Sequence, residues 1–269
     1  MPSEHLRTFA ATGSLAPAGL KLFDRNIGHE TRGKAAEGWP AGRGFYATTK
    51  AYGAATKRAE LPLWVTETGG LYGSGGRNVT DSFASAFWYL DELGATAKKS
   101  VAVHCRQALV GGHYGLLRRV GDALRPRPDF FATRLWAALM GAAVLDAVLT
   151  TDDADDRRDA LDVRAYAHCR LGERDDLVLA LVNSATRRAR MVLLPDSLQG
   201  LDRLEFHATA PLRAGDARPD LFGKTVLLND VPLRAPDQPL VPISARGDLV
   251  LAPASYAFVV FQGARWPSC

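Results

Sequence analysis

The first sustained pattern along the chain begins at residue 61. There the apolar, strand-forming run LPLWVTE is followed within two residues by Gly69 and Gly70, which predicts a short buried strand. The glycine-rich stretch YGSGGRNVT reads as a loop. A helix is expected to start at Thr80 or Asp81, because Phe83, Ala86, Phe87, Leu90 and Leu93 recur at helical spacing before Gly94. A second apolar run, VAVHCRQALV over 101–110, predicts another strand. Strand, helix and strand within about 50 residues is the size of a parallel crossover unit. Pro126 and Pro128 then precede DFFATRLWAALM, a further amphipathic helix expected to end at Gly141.

Beyond the acidic run TDDADDRRD the pattern changes to many short apolar segments, among them VRAYAHC, LVLALVN, RMVLLP, TVLLND, DLVLA and YAFVVFQ. Turn residues separate them at the intervals of an antiparallel sandwich. The boundary falls near residue 143, giving expected units over 61–142 and 143–269. Residues 1–60 show little periodicity, apart from a weakly amphipathic stretch over 45–58 that could form one helix.

Composition narrows the class. The 269 residues are 47% hydrophobic and 23% charged, with a mean hydropathy of −0.09, which suits a globular protein rather than a disordered or fibrous one. No run of about 18 apolar residues occurs, so no transmembrane segment is expected, and the opening residues carry no apolar stretch of signal-peptide length. The net charge of +4 is concentrated in residues 1–60, with nine basic and five acidic residues. Residues 61–269 carry 24 of each sign, so no broad basic face is available and nucleic acid is excluded as an expected partner.

The sharpest local feature is Glu67, a carboxylate at the carboxyl end of an apolar strand with glycines following. In parallel-sheet and barrel enzymes sites are built at that end. An ordinary solvent-facing strand-end glutamate is the alternative.

The stretch 64–117, with TETGGLYGSGGRN, SAFWYLDELG and CRQALVGGHYGLL, resembles glycoside hydrolase family 79, in particular its plant-type heparanase-like members. The similarity continues through PDFFATRLWAALMG, RAYAHC, TVLLND and APASYAFVVF to Cys269, over about 200 residues in one order. The resemblance implies a retaining glycosidase that cleaves β-glucuronosyl linkages in glycans or glucuronides. One carboxylate attacks the anomeric carbon and a second, about 5–5.5 Å away, protonates the departing oxygen. Glu67 matches the nucleophile. Tyr72, Gly73 and Ser74 match the loop that approaches the uronic carboxylate, Tyr114 matches a second tyrosine near the sugar, and Gln107, on the preceding strand, is a further candidate substrate contact. The neighbouring His113 stands where plant relatives often have asparagine. No metal or organic cofactor is implied, because the reaction runs on carboxylates.

The acid/base glutamate of the family lies in an Asn-Glu-Pro motif on an earlier strand, and this sequence has none. Of Glu4, Glu30, Glu37 and Glu60, none precedes proline, and Glu30 in GHET is the nearest to a substitute. A complete barrel takes about 250 residues and a sandwich about 100, whereas about 140 precede the sandwich here. The expected fold class is therefore α/β plus all-β: the last strand-helix units of an incomplete (β/α)8 barrel followed by an antiparallel β-sandwich. The expected origin is the carboxyl-terminal part of a family member, with the N-terminal barrel portion missing through truncation or an incomplete gene model. A catalytically inactive uronate-glycan-binding or scaffold protein is the second reading.

By the same resemblance Cys169 pairs with Cys269, closing a loop worth about 4–5 kcal/mol in the chain-entropy model. The residues alone equally allow three reduced thiols. Cys105, on a predicted strand, is expected in the core. Asn78-Val79-Thr80 is a glycosylation sequon that matters only in the secretory pathway. The family implies an extracellular, cell-wall, membrane-associated, lysosomal or vacuolar location. Arg187, Arg188, Arg190 and the Lys98–Lys99 pair could touch an anionic polysaccharide, although solvated turn charges explain them equally.

Overall fold

The computed structural model describes residues 62–71, 73–149, 163–173 and 175–269. The expected helix over 45–58, Glu30, Tyr72 and the acidic run 151–159 lie outside the described residues. What is described is mostly sheet with two helices.

Strand β1 (Leu63–Thr68) pairs in parallel with β2 (Val101–Arg106), and helix α1 (Phe83–Ala97) makes the crossover between them. The helix begins later than the sequence predicts because Thr80 and Asp81 are used in the preceding turn. Thr80 Oγ1 donates to Gly76 O and accepts from Gly76 N–H, and Asp81 accepts from Asn78 N–H. The first amides of α1 are then satisfied by distant carbonyls, Phe83 N–H on Gly223 O and Ala84 N–H on Leu221 O, both at 2.9 Å. Gly94 does not end the helix. It sits inside it because the Tyr166 ring presses on that face: a Cβ there would meet the ring at 2.2 Å.

A hairpin unmarked in the sequence pattern, β3 (Leu117–Val120) with β4 (Ala123–Pro126), follows β2 and leads into α2 (Pro128–Leu139). Pro at the first turn fits helix initiation. The helix stops before Gly141, since β5 (Met140–Leu145) starts at once and Gly141 lies flat against β6, where a Cβ would come within 2.5 Å of Cys169 O.

The remainder is an eight-stranded antiparallel sheet. Its order is β11 (Val231–Leu233), β10 (Val226–Leu228), β9 (Arg203–Thr209), β14 (Ser255–Phe261), β7 (Leu177–Asn183), β6 (Val163–Arg170) and β5, with β12 (Ile243–Ala245) also on β9. The central strand β14 is buried throughout, and its period of two divides the core. Tyr256, Phe258 and Val260 face α1 and α2 with Phe83, Phe87, Phe131 and Leu135. Ala257, Val259 and Phe261 face the ribbon formed by β8 (Arg190–Val192) and β13 (Leu249–Leu251). Each such fully buried aromatic or aliphatic side chain stabilises the fold by about 1.5–3 kcal/mol. Cys169 on β6 is bonded to Cys269, which ties the chain end to this sheet.

Two expectations fail at the parallel pair. β1 is largely exposed, with Trp64 at 55%, and Cys105 on β2 is exposed rather than in the core. Only the α1 side of the pair is covered among the described residues, so side chains on the other side meet solvent.

Candidate active site

The orientation of Glu67 follows from an irregularity in the strand. Leu63 and Val65 are half-buried while Trp64 and Thr66 are exposed, so simple alternation would turn residue 67 toward α1 and residue 68 outward. The register between β1 and β2 runs Val65 opposite His104 and then Thr68 opposite Arg106, which puts one extra residue into β1. This bulge reverses the phase. Thr68 is buried, its hydroxyl donating to Glu92 Oε1 on α1 at 2.5 Å, and Glu67 stands on the open face with Trp64 and Thr66. Glu92 also lies 3.2 Å from His104 Nε2, so that carboxyl is held on the helix side of β1 and is not the partner of Glu67.

Beyond the strand ends, two glycine-rich loops pack backbone to backbone. Gly73, Ser74 and Gly75 have φ of 75°, 71° and 86°, and Gly111 and Gly112 have 117° and 55°. His113 N–H donates to Ser74 O at 2.6 Å. A Cβ on Gly112 would lie 2.6 Å from Ser74 O, and one on Gly75 would lie 2.8 Å from Tyr114 N, so glycine is required at both places. Tyr114 is buried with its ring over Gly69, 3.2 Å from where a Cβ would stand. Gln107 is half-buried and continues the ladder through its N–H to Thr68 O at 2.8 Å; its peptide bond to Ala108 is cis. Gly73 and Ser74 are exposed, as is Asn78.

Thus Gly69, Gln107, Tyr114 and the Ser74 loop converge at the end of β1 where Glu67 emerges, and Tyr72 lies outside the described residues. Two clefts among the described residues lie elsewhere. One of about 730 Å³ is bounded by Arg187, Thr209, Leu212 and Arg218, and one of about 910 Å³ lies between α1, α2 and β5 beside His104, Trp136 and His168.

A layer of charged residues that the sequence reading missed supports the loops. Arg106 Nη2 donates to Tyr114 O at 2.8 Å and to Asp129 Oδ2 at 2.5 Å, and its guanidinium stacks 4.4 Å from the Tyr89 ring and 4.9 Å from the Trp88 ring. Asp129 also accepts from Ser85 Oγ at 2.9 Å. Burial pushes the Asp129 carboxyl above its ordinary range, against the pull of Arg106 and Ser85, and burial raises the Tyr89 hydroxyl to about 12. Arg127 Nη1 and Nη2 donate to Gly115 O and Gly112 O, each at 2.8 Å. The one local signal was the Arg-Pro-Asp sequence opening α2.

A sequence profile described as "Glycosyl hydrolase family 79, N-terminal domain" matches residues 46–94, which include β1, its loop and most of α1. Heparanase-like protein 2 of Arabidopsis thaliana is 31% identical over 243 residues, covering 77% of this chain and 42% of its own length. Baicalin-beta-D-glucuronidase of Scutellaria baicalensis is 31% identical over 206 residues, covering 74% and 36%. The chain thus spans about two fifths of the length of these curated relatives. In three dimensions it is similar to a GH51 alpha-L-arabinofuranosidase of Thermotoga petrophila, with a TM-score of 0.55 at 13% identity, over 81% of this chain and 47% of that one. That likeness concerns the fold.

Proposed function

The chain belongs to glycoside hydrolase family 79, the heparanase-like family, and on that premise we propose that it supplies the nucleophile half of a retaining β-glucuronidase site, with Glu67 as the attacking carboxylate. The observation that carries this reading is the bulge in β1, which turns Glu67 out of the helix-facing row and onto the open face beside the Ser74 and Tyr114 loops. Gly73, Ser74, Gln107 and Tyr114, with Tyr72 from the family match, are read as the uronate-facing surface. Backbone N–H groups and phenol hydroxyls suit a carboxylate-bearing sugar.

The fold reading that goes with it is a partial (β/α)8 barrel, β1-α1-β2 and α2, joined to a β-sandwich beginning near residue 143. Retention requires a second carboxyl group about 5–5.5 Å from the nucleophile. Glu92 faces the other side of β1, so the proton donor is read as coming from another barrel strand, outside the described residues. The substrate class is a glucuronic-acid-containing glycan or glycoside. The Cys169–Cys269 disulfide favours an oxidising compartment, extracellular, lysosomal or vacuolar, where a glycan on the exposed Asn78 would be feasible.

A leaving group that needs no protonation separates the two halves of the site. The chain is expected to release dinitrophenol from 2,4-dinitrophenyl β-D-glucuronide at least tenfold faster, relative to the uncatalysed rate, than it releases 4-methylumbelliferone from its glucuronide. Glu67→Gln is expected to abolish both. Undiminished release by Glu67→Gln would refute the assignment. The open face around Glu67 favours one second reading, a uronate-binding protein without turnover, which binding of glucuronides with no release of either phenol would support.

A further inference from the structure

The β3–β4 hairpin is an arm that the rest of the described fold leaves bare. It forms a two-stranded sheet of its own, and every residue from Arg118 to Arg125 is exposed. Gly121 opens the turn at φ 59°, and a Cβ there would meet nothing within 4 Å, so no described residue packs on the tip. A lone hairpin is at best marginally stable in water. This one carries an added cost, because Arg118 is the direct cross-strand partner of Arg125 and like charges set opposite each other repel. Arg119 is a third cation, and Asp122 is the arm's single acid. None of the three guanidinium groups makes a hydrogen bond or ion pair with another described residue, and Arg127 nearby is repelled by Arg118.

Apolar and basic positions on the arm are sorted by height. Val120, 47% exposed, pairs with Ala123 next to the turn, and Leu124, 42% exposed, follows opposite Arg119. The Arg118–Arg125 pair comes one step further from the tip. At about 3.4 Å per residue it lies about 7 Å behind the Val120–Ala123 pair. The arm is therefore an aliphatic tip with a collar of three arginines. Leu109 and Val110 extend the exposed apolar surface at its base, where Leu117 N–H donates to Leu109 O at 2.8 Å.

We propose that the β3–β4 hairpin is a docking arm for an anionic lipid surface, with Val120 and Leu124 entering the headgroup layer and Arg118, Arg119 and Arg125 meeting the lipid phosphates. Two features of the arm are used together in this way. The charges need anions that the described protein does not supply, and exposed aliphatic side chains gain only where water is left behind. A hydrated acidic polymer would satisfy the arginines and gain nothing from Val120 and Leu124. The spacing also fits, since interfacial elements sink about 5–10 Å into the headgroup and acyl boundary, the height that separates tip from collar. Asp122 at the turn opposes deep entry, so insertion is shallow. The proposal does not depend on the assignment of Glu67, because docking is read without turnover.

The test is cosedimentation of the full chain with phosphatidylcholine vesicles, either pure or containing about 30% phosphatidylserine, at about 0.1 M salt. Wild type is expected to bind the anionic vesicles at least about tenfold more tightly than the neutral ones. Removing Arg118 and Arg125 together, both as Arg→Gln, should weaken binding about 25-fold, since each arginine at such a surface contributes about fivefold. Val120→Ser with Leu124→Ser should weaken vesicle binding about tenfold or more while leaving retention on a soluble polyanion, heparin, unchanged. Asp122→Asn should tighten vesicle binding, and the indole of Leu124→Trp should shift its emission to the blue when anionic vesicles are added. All these positions are exposed, so urea midpoints should stay at the wild-type value. Absence of vesicle binding overturns the proposal. Retention on heparin without vesicle binding also overturns it and assigns the arginines to an acidic glycan instead. Undiminished vesicle binding by the double serine variant overturns entry of the tip.

Discussion

Thr68→Val removes one hydroxyl and almost no volume, so it isolates the hydrogen bond that anchors the bulge in β1. Thr68 is 3% exposed and Glu92 1% exposed, and the hydroxyl lies 2.5 Å from Glu92 Oε1. Withdrawing a donor from a buried carboxyl costs about 1–3 kcal/mol. A loss near 2 kcal/mol corresponds to a fall of roughly 4–8 °C in Tm for a domain of this size. Urea unfolding followed by tryptophan fluorescence measures it, with Thr66→Val as the control. Thr66 is exposed, so that control should move stability by less than about 0.5 kcal/mol. Without the bulge the pattern would invert, because residue 68 would face solvent and residue 67 the helix. Equal, negligible effects from the two substitutions would refute the strand phase on which the placement of Glu67 depends.

Two further outcomes follow from the lower half of the molecule. Cys269→Ser opens a loop whose ends are 100 residues apart and should cost about 4–5 kcal/mol, read as a lowered urea midpoint that reducing agent reproduces in wild type but not in the variant. His168 is buried, its Nδ1–H donating to Gly141 O at 2.7 Å, and burial holds its protonation below the ordinary 6.5. The unfolded chain therefore binds a proton first on acidification, so stability should fall as pH drops below about 6.5. His168→Asn, whose amide can replace the Nδ1–H donor, should flatten that part of the Tm–pH curve. An identical curve in the variant would show that other groups set it.

The elements that were legible in the sequence are those whose signal is local. The apolar spacing of Phe83, Phe87 and Leu90 marked α1, and the Pro126–Pro128 pair marked the start of α2. The end of α1 was misplaced because Gly94 is explained by a ring 72 residues away rather than by a helix stop. β1 was recognisable as a strand, but its exposure was not, since burial depends on which elements cover its second face. The bulge was invisible because register is a property of two strands and one extra residue cannot be assigned before the partner is known. The β3–β4 hairpin carries Arg118, Arg119 and Arg125 and too few alternating apolar residues to stand out. Glu67 stood out locally as a carboxylate at a strand end before two glycines, while its proposed role and the cysteine pairing came from resemblance; Arg106, Arg127 and Asp129 escaped notice because their partners lie 8 to 44 residues away.

The most direct measurement is covalent labelling of Glu67. A 2-deoxy-2-fluoro-β-D-glucuronyl fluoride carries a leaving group that departs without a proton donor, and its fluorine at C2 slows hydrolysis of the glycosyl-enzyme, so the label can accumulate on this chain as it stands. Peptide mass spectrometry is expected to find the fluoroglucuronyl group on the peptide containing Glu67 and no label in Glu67→Gln. Labelling at a different carboxylate, or equal labelling of the Glu67→Gln variant, would contradict the assignment of this residue as nucleophile.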